Sequence, residues 1–506
     1  MKAILLILSV LPAVLKAANI LIVAPMPFYS HTNTFIPVYK ELAARGHNIT
    51  MVSPFPQKLD VPNWRNIALN GSRQSERSIK EMINTNAYRF YSALYSLCNY
   101  VLDIALDDED LHNFLDNDNT KYDLLIMEPY FCQEPFITLG HKFNVPVIAV
   151  HAMSLTPWYS FLTGNEVSLH LQPNLRSQYK NRMTFFERLD NFFINLFEMG
   201  VGYFHYIPHQ QYLMDKFFKY PGSENRPPIL NMLRNVSLIL ADYHMSVGYS
   251  EPLLPNTIPV GGLSLKIGDE LPKDLNNVFE NSKDGVIYLN FGSVLNSRNM
   301  PEGVFETVLA AMGKIDYPVL MRWDVEDVPN KPKNVILRKW YPQPAILAHP
   351  KLRIFITHAG LHSLTEAVYR GVPVLCIPVF ADQKYDSRFA EQAGLGITIF
   401  LDELTNDRII NSVLTIIQDP SYKENALIRS KVVQDRQNTA MESAIYWIEY
   451  VIRHNGANHL KPARIELSLY QVLGLDIFLF LLTIALLPII LLSLLRRVKI
   501  PKTKKD

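Results

Sequence analysis

Short apolar runs recur along the chain, separated by stretches in which apolar residues return at helical spacing. The run "NILIVAP" at 19–25 reads as a buried strand. It is followed by "HTNTFIPVYKELAARG", whose Phe35, Val38, Tyr39 and Leu42 share one helical face that ends at Gly46. "HNITMVSP", "YDLLIMEP" and "PVIAVHA" supply further strands, the last two separated by the helix-like "CQEPFITLGHKFN". Continuously apolar strands alternating with helices predict a parallel sheet covered on both faces. From 156 to 220 the pattern changes to long stretches crowded with Phe, Tyr, Met and His, such as "FFERLDNFFINLFEMGVGYFHY". Those aromatics are expected in a helical core, the alternatives being the lining of an apolar pocket or a face against a membrane.

A Pro- and Gly-rich segment at 249–275 reads as a linker. Beyond it the alternation restarts with "GVIYLNFGS", "YPVLMRW", "NVILRKW", "LRIFITHAG" and "VPVLCIPVF", with helices expected in "PEGVFETVLAAMGKI" and "SLTEAVYRG". The pattern is that of two doubly wound α/β domains in tandem. Such sheets bind ligands beyond the carboxyl ends of their strands, so two of them facing each other form a cleft with a ligand on each wall.

The two ends follow a different pattern. Residues 1–18 carry one early lysine, an apolar run and small residues at Ala17 and Ala18, the layout of a cleavable secretory signal peptide. Residues 477–495 are 19 positions without a charge, enough to span ~30 Å of hydrocarbon. The basic tail 496–506 (Arg496, Arg497, Lys499, Lys502, Lys504, Lys505) is expected to stay cytosolic, which places the rest of the chain in the lumen. The terminal "KTKKD" resembles a dilysine retrieval signal of the endoplasmic reticulum, although a polybasic stop-transfer flank explains most of the same lysines. Sequons at Asn48, Asn70 and Asn235 are compatible with a lumenal glycoprotein.

Composition narrows the function. At 506 residues, 48% of them apolar, the chain has core material for about two to four domains. A net charge of +1 and the lack of a basic tract in the body exclude nucleic acid as a partner. Cys98, Cys132 and Cys376 are few, odd in number and set among apolar residues, so they are expected to be core thiols without a disulfide framework or metal-ligand spacing.

The densest chemistry lies at 340–383, "WYPQPAILAHPKLRIFITHAGLHSLTEAVYRGVPVLCIPVFADQ". Trp340, at the end of a predicted strand, can stack on a flat base, and Gln343 can donate and accept against a pyrimidine edge. His358 and Gly360 close the next strand ahead of a helix expected to begin near Ser363, whose N-terminus suits a diphosphate. Glu366, one turn in, suits a ribose diol, and Asp382 with Gln383 suit vicinal sugar hydroxyls.

This run resembles the donor-binding signature of the UDP-glycosyltransferases, with a Trp-x-Pro-Gln opening, a His-x-Gly-x-x-Ser-x-x-Glu centre and an Asp-Gln close. The resemblance also covers "SHTNTFIPVYKELAARGHNIT", "LNFGS" at 289–293 and both membrane-targeting ends, and it is nearest to insect members. It implies a GT-B architecture, with an acceptor-binding Rossmann-like domain at 19–248 and a UDP-sugar-binding one at 276–455. By the same match Ser293 contacts the phosphates, Trp340 and Gln343 the uracil, and His358, Gly360 and Ser363 the diphosphate. Glu366 then holds the ribose, and Asp382 with Gln383 the sugar. One departure is His362, where many members have Asn.

The resemblance further implies that His31, in "PFYSH", is the general base, partnered by an acid at the end of a later strand. Glu128 holds that position in place of the family's Asp. Asp123 begins the same strand, roughly 16 Å from its far end at ~3.3 Å per residue, and is set aside. The acidic stretch 103–119, with Asp116-Asn117-Asp118, reads as a solvated surface and not as a metal motif. The expected activity is inverting transfer, without metal or cofactor, from UDP-sugar (UDP-glucose by the insect resemblance) to a small lipophilic alcohol or phenol, a detoxification-type reaction. A membrane-tethered binding protein that keeps the fold without turnover is the alternative. Oligomeric state is open, a homo-oligomer being one outcome the sequence allows.

Overall fold

The computed structural model describes residues 17–497 except 60, 72–81, 84, 155, 266–269, 293–294 and 473. Nearly all of the expected signal peptide, Ser293 and the tail from 498 lie outside the described residues. The chain divides into two units, Met1–Leu460 and Lys461–Asp506.

The first unit holds two parallel sheets. One contains β1 (Asn19–Val23), β2 (Asn48–Ser53), β3 (Trp64–Ala68), β4 (Leu124–Met127), β5 (Val147–His151), β6 (Leu238–Ala241) and β7 (Thr257–Pro259) in the order β3-β2-β1-β4-β5-β6-β7. The other contains β8 (Val286–Asn290), β9 (Val319–Arg322), β10 (Val335–Arg338), β11 (Leu352–Thr357), β12 (Val374–Cys376) and β13 (Gly396–Thr398) in the order β10-β9-β8-β11-β12-β13. Each order reverses once, between β1 and β4 and between β8 and β11, and these switch points open the crevices where such sheets bind ligands.

The central strands are mostly apolar because both faces are covered. In β8, Val286 and Tyr288 join one core while Ile287 and Leu289 join another on the opposite face, the period-2 alternation of a strand. Helix α1 (Tyr29–Ala44) follows β1 and buries Phe35, Val38, Tyr39 and Leu42 on the first sheet. Further helices used below are α2 (Ala87–Leu106), α3 (Phe185–Val201), α4 (Leu361–Tyr369) after β11, α5 (Gln383–Gln392) after β12, and α6 (Ala440–Arg453).

Four features depart from the sequence reading. The segment 249–275 contains β7, which pairs in parallel with β6; three residues among prolines and glycines are too short to carry a strand pattern. Helix α6 packs Ala444, Ile445, Ile448 and Val451 into the core of the first sheet although it follows the second in sequence.

Helix α3 turns a largely polar face inward: Asn191, Asn195 and Glu198 are buried together with Ile194, while Phe185, Phe186, Phe193 and Leu196 are exposed, Phe186 at 77%. Its inward polar face satisfies the loop beneath it. Asn174 N–H donates to Asn191 Oδ1 (2.8 Å), and Asn174 Nδ2 donates to Asn195 Oδ1 (2.7 Å) and Glu198 Oε2 (2.8 Å). The fourth departure is a disulfide between Cys98 on α2 and Cys132 after β4, which corrects the expectation of core thiols. The two lie 34 residues apart in elements that only the tertiary fold brings together, and Cys376 alone is a free, buried thiol.

In the second unit, helix α7 (Leu475–Arg497) presents a 21-residue apolar window, Leu475–Leu495, none of it buried. At ~1.5 Å per residue that window matches the ~30 Å of a bilayer core.

Candidate active site

On the first sheet, the switch point places the turn after β1 beside the turn after β4. His31 enters from the first turn of α1, and Glu128 directly follows β4. His31 Nδ1 lies 2.9 Å from Glu128 Oε2, with Glu128 buried and His31 partly open. An ionised carboxylate only accepts, so Nδ1 carries the proton and Nε2 of the neutral ring keeps its lone pair. Glu128 Oε1 accepts from the Ala152 N–H at 3.0 Å. Burial pushes the Glu128 carboxyl up, but the charge and hydrogen bond of His31, with His151 and the Ala152 amide, outweigh it and hold the group below the ordinary range. The imidazole of His31 stacks on Phe131 at 4.8 Å, which fixes its plane.

Buried His151, at the end of β5, stacks on Tyr159 at 4.1 Å and is pushed down to about 4, chiefly by burial. It stands neutral behind Glu128. Sequence reasoning missed it because "VIAVHA" reads as a plain strand.

On the second sheet the described residues among those expected at the donor site follow the carboxyl ends of strands, either in loops or within the helices that come next. Trp340, after β10, is 72% exposed and offers a flat face. Gln343 Nε2 donates to Glu366 Oε2 at 2.6 Å, and its Oε1 accepts from Asn290 Nδ2 at 2.7 Å. Gln343 and Glu366 thus brace each other directly, and Asn290, which the sequence reading did not single out, holds the amide from its other side. Gln383 turns its Oε1 to the Val379 and Phe380 N–H groups at 2.8 and 3.0 Å, so its oxygen shapes the loop. Asp382 heads α5 without making a side-chain cap.

His358 is pressed between two glycines. A Cβ on Gly360 would meet its Nε2 at 2.6 Å, and one on Gly292, which has φ +77°, would meet the ring at 2.8 Å. Gly292 needs glycine for its left-handed backbone, and a side chain at Gly360 would force the His358 ring to move. Burial, then the charge of His362, push His358 down to about 4, so it faces the site as a neutral ring. Ala359 and Ala381 take left-handed backbone, φ +63° and +54°, in the loops that open α4 and α5. Non-glycine residues persist in that region where the surroundings over-determine it, typically at binding loops. Helix α4 begins at Leu361, two residues before expectation, with Gly360 at a cap position that makes no side-chain hydrogen bond. Ser363 is buried in its first turn.

Asp382 feels charges from both sheets. Burial raises its carboxyl above the usual range, while its own backbone N–H and then the charges of His31 and His362, one from each sheet, act to lower it. Among the described residues no group of three His, Cys, Asp or Glu side chains is arranged to hold a metal ion.

The family model described as "UDP-glucoronosyl and UDP-glucosyl transferase" matches residues 19–501. The chain belongs to this family. It is 34% identical over 474 residues to "UDP-glycosyltransferase UGT5" of Dactylopius coccus, covering 92% of this chain and 89% of that one. It is 28% identical over 487 residues to "UDP-glucuronosyltransferase 2B9" of Macaca fascicularis, covering 90% and 88%. Among solved structures, "CalG4, the Calicheamicin Glycosyltransferase" superposes with a TM-score of 0.59 at 17% identity, covering 87% and 99%. That likeness is one of fold, and the fold is GT-B. As a UDP-glycosyltransferase the protein takes a UDP-sugar as co-substrate and moves its glycosyl group to an acceptor.

Proposed function

We propose that the protein transfers glucose from UDP-glucose, with inversion, to the hydroxyl of a small lipophilic alcohol or phenol, His31 acting as general base. The observation that carries this reading is the 2.9 Å contact between His31 Nδ1 and Glu128 Oε2 at the switch point of the first sheet. An alcohol is a weak nucleophile at neutral pH. Nε2 takes its proton as the oxygen attacks the anomeric carbon, the bond to the UDP oxygen breaks on the opposite face, and Glu128 stabilises the imidazolium that forms. UDP leaves with its charge stabilised by backbone N–H groups at the start of α4, with Ser293, His358, Gly360 and Ser363 on the phosphates. Trp340 and Gln343 hold the uracil, Glu366 the ribose, and Asp382 with Gln383 the sugar.

In this reading residues 19–248 supply the acceptor wall and 276–455 the donor wall. The helix at Leu475–Leu495 anchors the enzyme in the endoplasmic reticulum membrane with its catalytic part in the lumen, an oxidising compartment that suits the Cys98–Cys132 disulfide. Glucose is supported by the insect relative "UDP-glucosyltransferase 2" of Dactylopius coccus, 32% identical over 490 residues. The test is a screen of phenols and terpenoid alcohols against several UDP-sugars, with the anomeric configuration of the product read by NMR. A β-glucoside from UDP-glucose is expected; a retained α-linkage, or turnover only with another UDP-sugar, contradicts the assignment.

A further inference from the structure

His362 sits on the first turn of α4, where the resemblance leads one to expect Asn. Its ring reaches out of the donor domain into the other one. Nε2 lies 3.0 Å from Oδ2 of Asp242, which follows β6, and 2.8 Å from Oγ1 of Thr34 on α1. The Thr34 hydroxyl donates its own proton to the Ser30 carbonyl at 2.8 Å, so toward His362 it accepts. A carboxylate also accepts. The Nε2–H is therefore shared between two acceptors, one on the sheet of the acceptor domain and one on the helix that carries His31, a single turn before Thr34. Asp242 is buried and held by the Gly262 N–H, which donates to its Oδ1 at 3.0 Å.

We propose that His362 is a positioning residue of the transfer reaction, tying the helix that bears the base to the helix that opens the diphosphate site, so that acceptor and donor walls are in reacting register only while this bridge is made. The proposal rests on the assignment of His31 as base. Other contacts between the domains, such as Ser154 Oγ to Asp386 Oδ1 at 2.8 Å and Arg388 Nε to the Gln178 carbonyl at 2.8 Å, lie on other elements and do not involve α1.

The bridge is sensitive to protonation. Burial lowers the basicity of His362, but the hydrogen bond and charge of Asp242, with Asp382 and Glu366, outweigh it and raise the group above the usual histidine range. Also facing this cluster are His358 before α4, Arg436 opposite Asp242, His31 and Asp386 toward Asp382. With the folded-state value raised, the charged bridge is complete at low pH and is lost as pH rises through that value. The neutral ring keeps one weaker hydrogen bond.

The experiment uses the full-length enzyme in detergent or microsomes, with His362→Ala, His362→Gln, Asp242→Asn and the double variant His362→Ala/Asp242→Asn. For each, kcat, the KM of the UDP-sugar, UDP affinity and thermal midpoint are measured from pH 5.5 to 9. His362→Ala is expected to lower kcat by about tenfold or more while UDP affinity stays within about twofold, because UDP binds the donor wall alone. The wild-type decline in kcat on the alkaline side should be absent in that variant. His362→Gln, which keeps a donor without a titration, should recover part of kcat and show no such decline. The double variant should fall no further than His362→Ala alone. Wild-type kcat and pH profile in His362→Ala, additive losses in the double variant, or a loss of UDP affinity equal to the loss of kcat would each overturn the proposal. Loss of the thermal transition in His362→Ala transfers the decision to His362→Gln, whose pH profile then supports or refutes it. The result is separable from that for His31, because a dispensable His31 would leave the coupling between His362 and Asp242 measurable.

Discussion

His31 and Glu128 are 97 residues apart, yet their side chains meet at 2.9 Å because β1 and β4 are neighbours in the sheet. Both were named on the strength of the family resemblance, which picked out the histidine opening α1 and the acid that directly follows β4. The role of His362 was not legible: its residue type stood out, but of its partners in the other domain Asp242 belongs to no motif and Thr34 drew no notice within the run at 30–50. At this scale Glu128→Gln is expected to lower kcat by between about tenfold and the ~10²–10⁴ of a complete general-base effect. The KM for UDP-sugar should be little changed, and a steady-state comparison across donor concentrations checks the split. Glu198 supplies a second case. Burial, opposed by hydrogen bonds from Tyr91 and Asn174, raises its carboxyl to about 7. A folded-state value above the unfolded one means that its stabilising proton is present at acid pH and lost as pH rises from about 4.5 to about 7. Glu198→Gln should therefore be more stable than wild type at pH 8 and no more stable at pH 4, as read from thermal midpoints at the two pH values.

At the level of elements, the strands buried on both faces were read well because a continuous apolar run between Gly, Pro and Asn has few alternatives. Strand β7 and the packing of helix α6 on the first sheet were not read from the sequence, for different reasons. The strand is three residues long. The helix has an ordinary amphipathic pattern, which fixes that it packs but not against which sheet. Helix α3 misled more deeply, since its apolar face points outward and its Asn-rich face inward. Periodicity finds a face, and only the polar groups of the loop at 169–174 decide which face is the inner one. The disulfide joins two such elements, α2 and the loop after β4. Cys98→Ser is expected to destabilise the protein by about 2–4 kcal/mol. Thermal unfolding of the oxidised wild type against the variant checks this, and reducing agent should remove most of the difference.

For the whole molecule, the sequence made the architecture plain: two doubly wound sheets and one apolar helix long enough to cross a bilayer. It could not supply the closeness of the walls, which depends on contacts such as Ser154 with Asp386 and His362 with Asp242 between residues more than a hundred positions apart. In the proposed reaction those contacts bring the base on one sheet toward the sugar held by the other. The most direct test of this account is the rate of sugar transfer by His31→Ala, set against its affinity for UDP. The account predicts transfer reduced by roughly 10²–10⁴ with UDP affinity within about twofold of wild type; transfer at near wild-type rate by the variant would contradict it.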